Sequence, residues 1–202
     1  MRGMLARGFL TLLILIAIVA PGVGPAMAAE AGHVVRLTGA AEVIGVSGAV
    51  PLASGSPIRT GDRIRTGSDA RIQIELEGGA VLTLGADSEL LIPAQAARSV
   101  SIVDLLLGIV RAVLPESAGS GFLVRGRTAV ASVRSTEWIV ETSPENTAVF
   151  AIDGEVQVTG TGGSVTLQPG EGTDVPSASP PSAPKPWGAA RAGDVLARTD
   201  AP

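Results

Sequence analysis

Between residues 60 and 92, short alternations of apolar and polar positions are separated by glycine, a rhythm that predicts strands joined by tight turns. In Arg71-Ile72-Gln73-Ile74-Glu75-Leu76-Glu77, the residues Ile72, Ile74 and Leu76 fall on one face. The four charged or amide side chains fall on the other, which is the period of two of a half-buried strand. Gly78-Gly79 turns the chain into Val81-Leu82-Thr83-Leu84, and Gly85-Ala86-Asp87-Ser88 turns it again into Leu90-Leu91-Ile92. Further strands are expected at 99–107, 108–114, 122–124, around 130–140 and at 148–152. By period alone, Leu105-Leu106-Leu107 with Ile109-Val110 fits a buried helix as well as a strand. Gly108 inside the run and its β-branched neighbours favour strands. Trp138 shares a strand face with Val140, which predicts a core position for the indole rather than a ligand platform. The implied fold class is all-β: short antiparallel strands in a sandwich, roll or solenoid-like arrangement with two similar hairpin ends.

Those ends come from an internal repeat. Residues 39–55 align with 154–170 without a gap, and seven of the 17 positions are identical: four glycine pairs plus Val43/Val158, Val50/Val165 and Leu52/Leu167. Each copy reads as a strand, a glycine hairpin and a returning strand. A two-stranded unit is marginal alone, so the copies are expected to close against the strands between them. Chance likeness between glycine hairpins is the alternative.

Composition sets the limits of the domain. Arg2 and Arg7, the apolar run from Phe9 to Val19 and Ala26-Met27-Ala28 form a secretory signal over 1–28, and a helix over Phe9–Ala20 rises only ~18 Å against a bilayer core of about 30 Å. The expected location is therefore periplasmic or secreted, with membrane contact only if that segment stays uncleaved. Removing it takes away Arg2 and Arg7 and leaves 174 residues with 13 basic and 19 acidic side chains, a balance that excludes a global polycation for nucleic acid. The chain has no cysteine, which excludes disulfides, thiol catalysis and cysteine metal sites. Residues 30–175 form the expected β domain. From Pro176 the Pro, Ala and Ser content predicts a mobile or extended tail over 176–202, in which Trp187 is either a docking anchor or a stray exposed ring.

Pro51-Leu52 with Gly55, then Ile58-Arg59-Thr60-Gly61-Asp62-Arg63-Ile64-Arg65-Thr66-Gly67, then Ala70-Arg71-Ile72-Gln73-Ile74, Gly79, Leu82-Thr83-Leu84, Ser88 and Leu90 resemble the FecR domain. Leu107-Gly108-Ile109-Val110, Val133-Arg134-Ser135-Thr136-Glu137-Trp138, Asp153-Gly154-Glu155-Val156-Gln157-Val158 and Leu167-Gln168-Pro169-Gly170-Glu171 extend the likeness over about 34–172. Ser135 stands where the family usually has glycine. In physical terms, Gly61 and Gly67 open turns closed to other residues, and Asp62 is placed to hydrogen-bond the turn at Gly61 and set Ile64 toward the core. The resemblance implies an all-β extracytoplasmic module. The family's best-known members relay a signal from an outer-membrane receptor to an anti-sigma segment; here no cytoplasmic region precedes the hydrophobic stretch, which implies a stand-alone member without that segment.

Candidate chemistry is sparse. His33 is the single histidine, and Asp62, Asp69 and Asp87 sit on glycine turns, where turn formation is their ordinary role. With Glu89 and Asp104 they leave a two-carboxylate secreted hydrolase as an alternative, but few aromatic rings are available to hold a sugar. The expectation is a non-enzymatic chain without metal or other cofactor. A structural or adhesive surface component is the other alternative. Arg59, Arg63, Arg65 and Arg71 form one basic group and Arg125, Arg127 and Arg134 a second. Brought onto one sheet edge, they would bind a protein or an anionic envelope component; otherwise they are solvated strand faces and edge guards.

Overall fold

A computed structural model describes residues 29–45, 48–94, 100–116, 121–133 and 136–202. The signal segment, Arg134 and Ser135 lie outside the described residues. The strands run, in chain order, β1 (Glu30–Thr38), β2 (Ala41–Gly45), β3 (Gly48–Pro51), β4 (Pro57–Arg59), β5 (Arg63–Thr66), β6 (Arg71–Leu76), β7 (Val81–Leu84) and β8 (Glu89–Leu91). After them come β9 (Val100–Leu114), β10 (Gly121–Arg125), β11 (Ala129–Val133), β12 (Thr136–Thr142), β13 (Asn146–Asp153), β14 (Val156–Gly160), β15 (Gly163–Leu167), β16 (Glu171–Pro176) and β17 (Lys185–Pro186), then one helix, α1 (Ala189–Arg198). The expected all-β architecture is present.

Hydrogen bonding links all 17 strands into one network, and β9 divides it into two layers. Up to Leu107, β9 pairs with β8 and, in parallel, with β10. From Gly108 onward it pairs with β7 and β12. The first layer, sheet B, has the order β3-β2-β5-β8-β9-β10-β11-β14-β15. The second, sheet A, has the order β4-β1-β6-β7-β9-β12-β13-β16-β17. One core lies between them, with Ile72, Ile74, Leu82, Val140 and Val149 from sheet A and Ile64, Leu90, Leu105, Phe122 and Val158 from sheet B. The run at 105–110 is strand, as its glycine and β-branched neighbours indicate, and Gly108 at φ +86° is where it passes from one sheet to the other. Trp138 is fully buried in that core, edge-on to Phe122 with ring centroids 5.9 Å apart.

The repeat is structural and longer than its sequence signal. β1-β2-β3-β4 corresponds to β13-β14-β15-β16 at one constant offset, Gly39 with Gly154 and Gly55 with Gly170. Val43 faces Val50 across the first hairpin as Val158 faces Val165 across the second, and the two hairpins are the opposite edges of sheet B. Gly39 and Gly154 have φ of +72° and +69°, and Gly55 and Gly170 are both at +84°. The turn after each hairpin is closed in the same way. Ala53 N–H donates to Ser56 Oγ at 3.0 Å, and Gln168 N–H donates to Glu171 Oε2 at 2.9 Å. A third version lies between β4 and β5, where Asp62 Oδ2 accepts the Arg59 N–H at 2.7 Å beside Gly61 at φ +90°. The sequence assigned Asp62 that role, and Ile64 is fully buried beyond it.

Residues 176–202, expected to be mobile or extended, are packed over most of their length. Ser182 is held by hydrogen bonds to Thr173 and Asp174 of β16, β17 extends sheet A, and α1 crosses the outer face of that sheet. Of the two readings of Trp187, the structure shows docking: the indole is 9% exposed and stacks on Phe150 at 4.9 Å and 12°. Gly172 makes the seat, since a β-carbon there would lie 2.3 Å from the ring. Proline removes ladder donors but leaves extended backbone available, so the composition that forbids a central strand still permits a strap. At ten residues and with no side-chain cap at Gly188, α1 is too short to be stable in isolation; it depends on packing Val195, Ala192 and Leu196 over Ile109, Ile139, Ala148 and Phe150. That second cluster is separate from the main core.

The outer strands limit edge pairing. Leu52 N–H bonds inward to Ala41, so the amide position of Pro51 faces outward from β3 with no hydrogen to donate. Pro57 and Pro186 stand in the outermost strands of sheet A.

Candidate interaction surface

The basic residues do not gather at one edge. Arg63 and Arg65 point outward from β5, where their alternates Ile64 and Thr66 point into the core, and Arg125 points outward from β10 opposite the buried Val124. All three lie on the outer face of sheet B. Arg59 is exposed on the edge strand β4 of sheet A, Arg71 starts β6 on the outer face of sheet A, and Arg127 is exposed in the turn between β10 and β11. Among the described residues, Arg59, Arg71 and Arg127 take part in no ion pair.

Each arginine on the sheet B face has a cross-strand carboxylate. Arg63 pairs with Glu89 of β8, and Arg65 Nη1 reaches Glu42 Oε1 of β2 at 3.2 Å. Arg125 Nη1 stands 3.2 Å from Asp104 Oδ1, its register partner on β9, without the alignment of a hydrogen bond. These arginine side chains are 47%, 53% and 52% exposed, so each pair contributes at most about 1 kcal/mol, and the three together leave this part of the face without net charge. Between the pairs lie aliphatic side chains. Leu91 is registered with Arg63 and Asp104, Leu123 with Ile102, and Leu107, opposite Glu89, is 42% exposed. No element of this chain covers that strip among the described residues, whereas the outer face of sheet A carries α1.

The other chemical candidates are engaged locally. His33 is exposed on β1 opposite Pro57 and Glu75. Asp62 closes its turn, Asp87 occupies a turn at φ +51°, and Glu89 and Asp104 hold the arginines described above. No group of three or more histidine or carboxylate side chains is placed to hold a metal ion among the described residues. A shallow hollow between β2 and β5, lined by Ala40, Glu42, Pro51 and Arg65, contains one carboxylate, and Arg65 occupies it.

A charged clasp that sequence reading did not identify holds α1. Arg191 makes a two-pronged ion pair with Asp174, at 2.9 and 2.6 Å, while its guanidinium lies 3.6 Å over the Trp187 ring. Arg198 reaches Glu141 at 2.7 Å, and Asp200 lies 3.7 Å from Arg111. The hydrogen bond from Arg191 holds the Asp174 carboxyl below its ordinary 3.8 against the opposing effect of partial burial, and the charge of Arg191 adds to the lowering. A carboxylate with a lowered folded-state pKa stabilises the fold above its unfolded value, and that contribution disappears as pH falls through the folded one. The Trp187 indole resonance should therefore keep its docked shift at neutral pH and move toward the free position below about pH 4, with Asp174→Asn showing the undocked shift at neutral pH as well. Unchanged Trp187 shifts in Asp174→Asn would remove the clasp from the account.

Residues 62–157 match the family model described as FecR protein, a span that runs from the turn before β5 into β14. Among curated proteins, none matches the chain. Two crystal structures of a candidate anti-sigma factor from Parabacteroides distasonis ATCC 8503, at 2.50 and 1.65 Å, superpose with a TM-score of 0.58 at 23% sequence identity over 66% of this chain. The chain spans 63% and 64% of the lengths of those two structures, and the likeness establishes a shared fold.

Proposed function

Residues 62–157 are a FecR domain, and from that premise we propose that the chain is an exported, non-catalytic module that binds a protein through the outer face of sheet B as part of a signal relay. The observation that carries this reading is the strip of half-buried Leu91, Ile102 and Leu123 with exposed Leu107, uncovered among the described residues and bordered by Arg63–Glu89, Arg65–Glu42 and Arg125–Asp104. An aliphatic centre with a polar rim is the composition of a protein–protein contact. The internal pairing favours one of the two partner classes that the arginines suggested. An anionic polymer is attracted by uncompensated positive charge, and here each cation already has its carboxylate, so a protein with its own apolar centre and alternating charges fits better. Arg59, Arg71 and Arg127 lie off this strip and contribute, at most, longer-range attraction. The leader over 1–28 supports action after export.

The test is site-specific photo-crosslinking in intact cells. A crosslinker at Leu123 should capture a discrete protein, while one at Gln73, on the outer face of sheet A, should not. Leu123→Arg should abolish the adduct formed from a crosslinker at Ile102 without lowering the melting temperature. Equal labelling from Gln73 and Leu123, or capture of glycan alone, would end this reading.

A further inference from the structure

The outermost strands are β3 and β15 in sheet B and β4 and β17 in sheet A. Three of the four are interrupted as pairing edges. β3 ends on Pro51, whose amide position faces outward. β4 begins with Pro57, and its Arg59 N–H is taken by Asp62 Oδ2 at 2.7 Å. β17 is two residues long and ends on Pro186. β15, Gly163-Ser164-Val165-Thr166-Leu167, carries no proline and no charge.

The internal repeat shows which of its backbone groups are open. Leu167 occupies the place of Leu52 and is registered with Val156 as Leu52 is bonded to Ala41, so Gly163, Val165 and Leu167 bond toward β14. The N–H and C=O groups of Ser164 and Thr166 therefore point away from the sheet. Both residues are exposed, and no turn or loop backbone among the described residues bonds them. Thr166 is the counterpart of Pro51 and Ser164 of Ala49, so the device that closes one end of sheet B is missing at the other. Val165, between them, is half-buried and packs on the margin of the main core.

We propose that β15 pairs with β15 of a second copy, antiparallel about a two-fold axis at Val165, so that sheet B runs on through both molecules. Ser164 of each copy then faces Thr166 of the other, and the two pairs exchange four hydrogen bonds that use every open group of Ser164 and Thr166. Ser and Thr meet on the outer face, a favourable cross-strand pair, and Val165 meets its own counterpart on the inner face. Three features select this occupant over a foreign strand. The open groups lie symmetrically about Val165, the arrangement that a two-fold copy satisfies in full. The absence of charge on β15 removes the like-charge repulsion that self-pairing would otherwise meet. Growth from β15 onto β3 of a further copy is refused by Pro51, so the assembly closes at two. The strip from Leu91 to Leu123 lies on the outer face, away from this edge, and stays open in both copies.

Sedimentation equilibrium of the exported chain up to millimolar concentration should show a reversible dimer and no larger species. Thr166→Pro gives β15 the residue that β3 accommodates at the matching position, and it removes no ladder bond within one copy. Its dimer dissociation constant should rise about tenfold or more, with the circular dichroism spectrum unchanged. Because the chain has no cysteine, Val165→Cys introduces one thiol, and the proposed pair brings two α-carbons to about 4.5 Å, within disulfide reach. Oxidation with copper phenanthroline should link Val165→Cys into dimers and leave Val50→Cys, its counterpart on β3, unlinked. A chain that stays monomeric at millimolar concentration overturns the proposal. Equal linkage of the two cysteine variants overturns it too, as does a Thr166→Pro dimer of unchanged affinity.

Discussion

Gly108→Ala should be among the most destabilising single substitutions in the domain. Gly108 sits at φ +86°, where β9 leaves one sheet for the other, and a β-carbon there would lie 2.3 Å from Ser88 Oγ and 2.6 Å from Ser88 Cα. Ser88 cannot retreat without loss: its Oγ accepts the Ile109 N–H at 2.9 Å, and its own N–H donates at 2.8 Å to Thr66 Oγ1, which bonds Gly85 O at 2.7 Å. Backbone strain of about 1–2 kcal/mol and overpacking of about 1–3 kcal/mol together predict a loss of about 2–5 kcal/mol. Gly61→Ala supplies the comparison. It shares the positive φ, at +90°, but has nothing within 4 Å of the new atom, so it should cost about 1–2 kcal/mol from strain alone. Urea unfolding of the two variants separates the terms, and equal midpoints would show that crowding at Ser88 plays no part.

Trp138→Ala should have an effect of the same size. The ring is fully buried and packs edge-on against Phe122 in a core with few aromatic rings, so truncation leaves a large cavity between two sheets, at a cost of about 3–5 kcal/mol. Trp138→Phe should be far milder, at about 1.5 kcal/mol or less, because the Trp138 Nε1 hydrogen has no acceptor and its removal relieves an unpaired buried donor. Calorimetric melting of both variants provides the check. A Trp138→Phe loss as large as that of Trp138→Ala would mean that the indole nitrogen has a partner after all.

Much of this fold was legible because its determinants are local. Alternation placed β6, β7 and β8, and glycine spacing placed the hairpin β14–β15 and its match β2–β3. The acidic partners of Arg63, Arg65 and Arg125 were not legible, because Glu89, Glu42 and Asp104 lie 26, 23 and 21 residues away and meet them only through strand register. The docked tail was missed for another reason: a proline-rich composition excludes ladder pairing in the segment itself and says nothing of a seat elsewhere. A signal for that seat was present. Ile139 lies between Trp138 and Val140, and Ala148 to Ala151 are buried in succession, so β12 and β13 bury both faces and require a cover. Read as a two-sided run rather than an alternating one, these strands point to an additional layer over sheet A.

The prolines in β3, β4 and β17, with Pro180 and Pro181 packed beside the glycines of the β14–β15 hairpin, bear on what happens when many such molecules crowd together. Cross-β stacking needs an uninterrupted row of free amides on a flat rim, and this outline withholds it at several of its limits. Crowded samples should accordingly remain free of thioflavin-positive fibrils. Beyond the short β15 rim, recruitment of neighbours falls instead to broad flanks, where side-chain identity rather than bare backbone decides what adheres.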